Sequence, residues 1–366
     1  MENLFCHSAI RIFPQKSNDS WLVVNLHTKI NYKCSNIIVM LLVSFMGGDS
    51  TGNVINLFRK KYLFNYSKTF ESIKILRNLG LLVLENDLSH QQCLSLCKKW
   101  SSFGWVDTAD YQLATLDYPF ADYSENGREI DAKRIKDYVL LEPDINRYKK
   151  YQNVEYKINV PTTTNVLKEL KVPFSKVWNE DVFLQELNQQ RCLNLLSAVF
   201  GVFKLRNLSD SPDLIAPAIH KTSPSGGARH PTEAYIFSTN INGLSKGVYH
   251  FNINDNSLDF INELDIDYLN LFRMFSGPMR ASFKIDAFIV MTSVFDRSMW
   301  RYREPRSFRA IYMDVGHLCG TLDLVAKSLG LNCLVQHGIS EEPIAKILGI
   351  NTLTEGVIYS AAIGGI

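Results

Sequence analysis

The sequence predicts an α+β protein: a small, mainly helical N-terminal unit, then a larger domain in which a mixed sheet is flanked by helices. Three observations carry this. Residues 307–329 hold apolar side chains at unbroken spacings of three and four, the pattern of an amphipathic helix. Residues 287–292, A-F-I-V-M-T, form a continuous apolar run of strand length. Residues 247–252 and 257–261 flank Asp255-Asn256, a pairing suited to a hairpin turn.

Composition bounds the rest. The chain has 366 residues, room for two or three domains at ~100–200 residues each. With 46% hydrophobic and 21% charged residues, general disorder is excluded. Lys and Arg number 39 against 37 Asp and Glu, a net charge of +2. No global basic field exists for nucleic acid or an anionic membrane. The seven Cys are odd in number and scattered, which reads as reduced thiols and a cytoplasmic protein. Cys93 and Cys97 lie one helical turn apart rather than as CxxC, so no metal site is expected. The apolar run at 37–46 is too short for the ~20 residues of a spanning helix. It reads as a buried strand or helix. Glu2 and the absence of a basic flank before an apolar run speak against a signal sequence.

Three segments emerge. In residues 1–90, helices are expected at 54–62 and 68–79, with Gly80 as a stop and a strand at 81–84. Helix, turn, helix, strand is winged-helix-like. Such a unit docks peptides along a sheet edge, binds DNA, or serves structure alone. Residues 91–160 read as a connecting region with helical pieces, including 91–101. Residues 161–366 read as the mixed domain. There, 180–196 is expected to be helical, 234–239 a strand, and 331–335 a strand after the stop at Gly330.

Two segments carry chemistry. Thr222–Pro231 reads T-S-P-S-G-G-A-R-H-P. Ser225, Gly226 and Gly227 offer a hydroxyl and unobstructed backbone to a flat or anionic ligand, and Arg229 adds a cation. The alternative is a tight surface turn. The loop is neither a Walker A loop nor GxGxxG. Arg297–Arg309 reads R-S-M-W-R-Y-R-E-P-R-S-F-R. It is either a solvated charged loop or, with Arg306 and Arg309 at the start of a helix, an anion site.

As a set, these segments resemble the nitroreductase-like flavoproteins. More narrowly, they resemble the SagB-type azoline dehydrogenases, the branch of peptide maturation dehydrogenases that oxidises thiazolines and oxazolines in ribosomal peptides. The run Ser223–Tyr235 is similar to the flavin loop. Gly247-Val-Tyr-His-Phe is similar to that branch's G-x-Y-x-Y segment. Arg306-Ser-Phe-Arg309 with Asp314-Val-Gly-His-Leu318 resembles R-x-Y-R…E-x-G-H-L. Gly330-Leu-Asn-Cys and His337-Gly-Ile-Ser-Glu fit the strand and glycine turn near the flavin. The resemblance covers about residues 160–366. Before that, Trp105–Phe120 echoes the branch only faintly.

The resemblance implies a nitroreductase-like FMN-binding domain, an obligate homodimer, and a peptide substrate supplied by a cyclodehydratase partner. Ser223, Ser225, Gly226 and Gly227 would contact the flavin, with Arg229 beside them. Arg306 or Arg309 would serve its phosphate, and Gly338 would present backbone to the reactive ring edge. The catalytic pair would be Arg301 and Tyr302, where the branch has Lys-Tyr. Here one extra residue precedes Arg306. Arginine stays charged, so Arg301 is no base; Tyr302 would take the proton while a hydride passes to the flavin. The branch's R-R-S-R start is replaced by the lysines of Lys168–Lys176. The alternatives are an NAD(P)H-dependent reductase of dehydroamino acids or nitro compounds, and a non-enzymatic peptide-binding scaffold without flavin.

Overall fold

The structure, a computed structural model, describes residues 2–15, 20–120, 124–142, 147–170, 184–206, 218–275 and 281–366. The chain divides into two compact units, Met1–Tyr123 and Ser124–Ile366. The segment 91–160, read above as a connector, is shared between them.

The first unit opens with strands that lie ahead of the expected helices. β1 (Asn3–Cys6) is followed by β2 (Ile10–Pro14), β3 (Ser20–Asn25) and β4 (Ile30–Ser35), and the last three form an antiparallel meander. The apolar run at 37–46 is helical, α1 (Asn36–Ser44), with Leu41 and Leu42 in the core. β5 (Asp49–Ser50) leads into α2 (Thr51–Tyr62), where the Ser50 hydroxyl accepts from the Asn53 N–H. α3 (Tyr66–Asn78) is capped by Asn65, and Gly80 stops it with φ +67°. Ile73 and Leu76 face inward.

β6 (Leu82–Leu84) closes the sheet β5-β1-β6. Helix, turn, helix and strand are therefore present as expected. Among the described residues no second strand follows β6 to make a wing, because Asp87 caps α4 (Leu88–Ser101) directly after it by accepting from the His90 N–H. β1, from the start of the chain, takes the central place in the sheet. α5 (Val106–Thr115) follows.

In the second unit, α6 (Gly127–Leu141), β7 (Lys157–Asn159) and α7 (Thr163–Glu169) precede α8 (Gln189–Phe200). The expected helix at 180–196 thus begins later, because the Asn188 side chain caps at Arg191 N–H; residues 180–183 lie outside the described residues. β8 (Lys204–Arg206) and β9 (Ala218–His220) pair as a ribbon. β11 (Gly247–Asn252) and β12 (Ser257–Asn262) form the predicted hairpin, and β10 (Thr232–Ser238), the expected strand, pairs with β11. Then come α9 (Tyr268–Arg273), β13 (Ala287–Val294), α10 (Phe295–Arg301), α11 (Phe308–Ser328), β14 (Asn332–Gln336), α12 (Glu341–Leu348) and β15 (Glu355–Gly364).

The main sheet has the order β14-β15-β13-β10-β11-β12-β7. Its ladders are antiparallel throughout the described residues, so the sheet expected to be mixed is not. β13 and β14, joined through α11, do run the same way. β15 inserts between them and pairs antiparallel with both.

Alternation along the strands divides the core in two. Ala234, Ile236, Ile289 and Met291 pack on α8 and α11. Tyr235, Phe237, Phe288 and Val290 pack with Leu271, Ile344 and Leu348 on the other face. No helix among the described residues is long and apolar enough to cross a membrane, and none of their His, Cys, Asp or Glu groups could hold a metal ion.

α11 buries most of its predicted stripe, from Ile311 through Val315, Leu318 and Leu322 to Ala326. Its first turns depart from it. Phe308 and Tyr312 are 42% and 53% exposed, while Asp314 is buried. A 3-10 turn at Pro305–Ser307 tightens the helix start.

Candidate functional site

Register brings the sequence-selected residues to one end of the main sheet. β10 starts at Thr232, opposite Ser293 near the end of β13, and β15 starts at Glu355 opposite Val294. β14 runs toward the same end, its last residue Gln336 pairing with Ser360. The 223–231 loop therefore meets β10 where Tyr302 follows β13 through α10 and where Gly338 follows β14. β14 and β10 are three places apart in the sheet, roughly 14 Å at the usual ~4.8 Å spacing.

The loop is a strained turn. Ala228 N–H donates to the Ser225 carbonyl at 3.0 Å and Arg229 N–H to that of Gly226 at 3.2 Å. Gly227, Ala228 and His230 have φ of +57°, +52° and +45°. Glycine adopts this region freely; the other two pay ~1–2 kcal/mol each. Local bonds hold them there. His230 donates its backbone N–H to Ser225 Oγ and its Nε2–H to the Ile219 carbonyl, both at 2.9 Å. Burial, with the Lys221 charge nearby, pushes the His230 imidazole down to about 3, so it is neutral.

α11 supplies the acceptor that fixes the serine and first glycine. Asp314, 6% exposed, accepts from Ser225 Oγ at 2.6 Å and from Gly226 N–H at 3.1 Å. Burial raises its carboxyl above the ordinary range, against the opposing pull of those two bonds. Ser223 Oγ shares a hydrogen bond of 2.7 Å with Thr321 Oγ1, also on α11. A β-carbon on Gly226 would lie 3.4 Å from Ala310, one residue past Arg309. Asp314 was visible in the sequence only as part of a motif. The signal that could have found it is an acid standing inside an apolar helix stripe.

The second glycine faces Tyr302. A β-carbon built on Gly227 would overlap the Tyr302 hydroxyl and stand 3.1 Å from its Cζ. Next to it, Arg301 lies 4.8 Å over the Tyr302 ring and makes two hydrogen bonds to Asp131, of 2.6 and 3.1 Å. Asp131 was not foreseen. Its carboxylate offsets much of the charge that Arg301 would otherwise present to the phenol.

Arg229 points inward. It is 2% exposed, donates Nε–H to the Arg297 carbonyl at 2.6 Å, and lies 5.0 Å over the Trp300 ring. It ties the loop to α10. Arg297 in turn meets Glu233 at 2.6 Å, and Glu233 accepts from His250 Nε2 at 2.7 Å. Burial raises the Glu233 carboxyl, but Arg297 and His250 outweigh it and hold it at about 2. Burial pushes the Lys221 ammonium down to about 8, with Glu233 opposing. Arg306 sits in the 3-10 turn and Arg309 in the first turn of α11. Of the lysine stretch 168–176, residues 171–176 lie outside the described residues.

Tyr302 also walls a cleft of about 790 Å³ between α10 and the start of α11, with Phe295, Trp300 and Phe308.

Residues 194–365 match the nitroreductase family model. This segment is a nitroreductase family domain. The glycine loop, Asp314, Tyr302 and Gly338 all fall inside it, and Asp131 falls outside. The chain is 35% identical over 154 residues to the trifolitoxin-processing protein TfxB of Rhizobium leguminosarum bv. trifolii, covering 41% of this chain and 41% of that one. It is 27% identical over 199 residues to the trifolitoxin-processing protein TfxF of the same organism, covering 52% and 63%. These matches span less than two thirds of either relative. A chain of the E. coli microcin synthetase McbBCD complex with truncated pro-MccB17 bound aligns with a TM-score of 0.41 at 17% identity, over 68% of this chain and 96% of that one.

Proposed function

We propose that the nitroreductase domain is an FMN-dependent oxidoreductase that oxidises azoline rings to azoles in a ribosomally made peptide. The observation that carries this reading is the Tyr302 hydroxyl seated against Gly227, in a loop that resembles the flavin loop of nitroreductase-like proteins. The names of the two trifolitoxin-processing relatives support peptide maturation as the setting.

The residues present fit FMN. A side chain at Gly227 would run into the Tyr302 hydroxyl, and one at Gly226 would come within contact distance of Ala310 on α11, so the turn offers bare backbone, with no side chain of its own, to a flat ring. Ser223, Ser225, Gly226 and Gly227 would line that ring, Arg306 or Arg309 would take the phosphate, and Gly338 would approach the ring from β14. Arg229 and Asp314 would hold the turn in shape. When bound, FMN supplies the two-electron acceptor.

Converting an azoline to an azole removes a proton and a hydride from adjacent atoms. In this reading Tyr302 Oη takes the proton. Arg301, always charged, lies over the Tyr302 ring, and Asp131 positions its guanidinium while offsetting much of its charge. A homodimer is part of this reading. Tyr312, Met313, Gly316 and Gly320 form an exposed stripe on α11, with open space at both glycines. The N-terminal unit would dock the peptide, and a cyclodehydratase would supply it.

The test is a purified protein incubated with a thiazoline-bearing peptide. The expected result is flavin absorbance near ~450 nm, a property of the cofactor itself, and loss of two hydrogens per ring. NAD(P)H consumption with no ring oxidation would give the reductase reading instead. A colourless protein that takes up no FMN would leave only a peptide-binding scaffold.

A further inference from the structure

The cleft beside Tyr302 has a chemistry that the loop and its cofactor do not explain. Its walls are apolar: Phe295, Met299, Trp300, Phe308 and Leu353. Met299, Phe308 and Leu353 are exposed large hydrophobic groups. Its polar margin is acidic. Among the described residues, Glu142, Asp296 and Glu304 line it against one cation, Arg303, which is paired with Glu142. Arg301, Arg306 and Arg309 are not among its lining residues. The Glu304 carboxylate accepts from Arg306 N–H and Ser307 Oγ, so it is fixed in place. Asp296 has no ion-pair partner among the described residues. Trp300, in the buried wall, has an indole N–H with no acceptor among the described residues, a group that a native interior seldom leaves unmatched.

The volume, about 790 Å³, is that of a site for a small ligand or a few residues of chain. Because Tyr302 is shared by the cleft and the glycine loop, whatever fills the cleft lies beside the proposed proton acceptor. Apolar walls with an acidic margin complement an apolar side chain next to a positive charge.

We infer that this cleft binds the part of the peptide substrate flanking the reacting ring, and that it selects an apolar residue adjacent to a lysine or arginine. This rests on the peptide-oxidising reading above. The cleft sets sequence preference, and the loop and Tyr302 perform the chemistry.

The experiment titrates the full-length protein with two fluorescein-labelled tetrapeptides, Gly-Leu-Lys-Gly and Gly-Leu-Glu-Gly, read by anisotropy at physiological salt. The lysine peptide should bind about tenfold more tightly. Asp296→Lys should abolish or reverse that preference, and Leu353→Glu should weaken the glutamate peptide further. Flavin content is measured on each variant and should not change. Glu342→Lys, an equal charge change on α12, should leave the preference intact. Equal binding of the two peptides overturns the inference, as does a loss of preference in Glu342→Lys as large as in Asp296→Lys. A preparation that selects the lysine peptide but oxidises no ring would refute the enzymatic reading while leaving the cleft standing. A flavin-loaded, ring-oxidising protein that binds both peptides alike would do the reverse.

Discussion

The hydroxyl of Tyr302 occupies the space that a side chain on Gly227 would need. Two segments 75 positions apart in sequence therefore share one contact, and each limits what the other can be. At φ +57° the glycine is also in the left-handed region. Gly227→Ala should cost about 1 kcal/mol from the backbone alone, and more from the overlap. Combined with Tyr302→Phe, which removes the nearest atom, the alanine should cost less. A double-mutant cycle by urea denaturation measures the difference. Additive effects would show that the two residues do not touch.

Tyr302→Phe tests the proposed chemistry directly. Fold and flavin content should be retained, since only a hydroxyl is lost. Ring oxidation should fall ~10²–10⁴-fold, the usual worth of a general base. Near-normal turnover with full flavin would rule the base out. Arg301→Lys should be milder, because lysine can keep one contact to Asp131 though not the bidentate pair.

Asp314→Ala removes the acceptor for the Ser225 hydroxyl and the Gly226 N–H. Leaving such donors without a partner costs about 1–3 kcal/mol. The loop should loosen, and FMN affinity, followed by quenching of flavin fluorescence, should fall with it. Asp314→Asn keeps one acceptor oxygen and should lie between the two. Unchanged affinity in the alanine variant would remove Asp314 from the loop's support.

Acid should weaken the first unit. Burial, with His90 nearby, pushes the His7 imidazole down to about 4. Its Nδ1 accepts from the Ala9 N–H at 3.1 Å and its Nε2 bonds Ser89 at 3.0 Å. Between its ordinary pKa of ~6.5 and about 4, the unfolded chain takes up a proton that the folded unit refuses. Stability therefore falls as pH drops through this window, by up to ~1.4 kcal/mol per pH unit for one group. His7→Gln should flatten that slope in urea unfolding measured from pH 7 to 4. An equally steep slope in the variant would exclude His7 as the cause.

The sequence by itself determined the elements whose signal is local. The α11 stripe, the β13 run, the hairpin at Asp255-Asn256 and the stop at Gly330 depend on periodicity and turn chemistry within a few residues. The SPSGGARHP loop was legible for the same reason, because its residue types are unusual together. Tertiary structure alone decided the rest. The run at 37–46 became helix α1 where it packs on β3 and β4 and joins the core of the first unit, as its composition suited either form. The sheet came out antiparallel because β15, last in the chain, inserted between β13 and β14. Asp314 reached Ser225 across 89 positions, Asp131 reached Arg301 across 170, and Arg229 turned inward onto Trp300. A charged residue carries no local mark of the partner it will find. That pairing is fixed only when the packed strands and helices bring distant segments within hydrogen-bond distance.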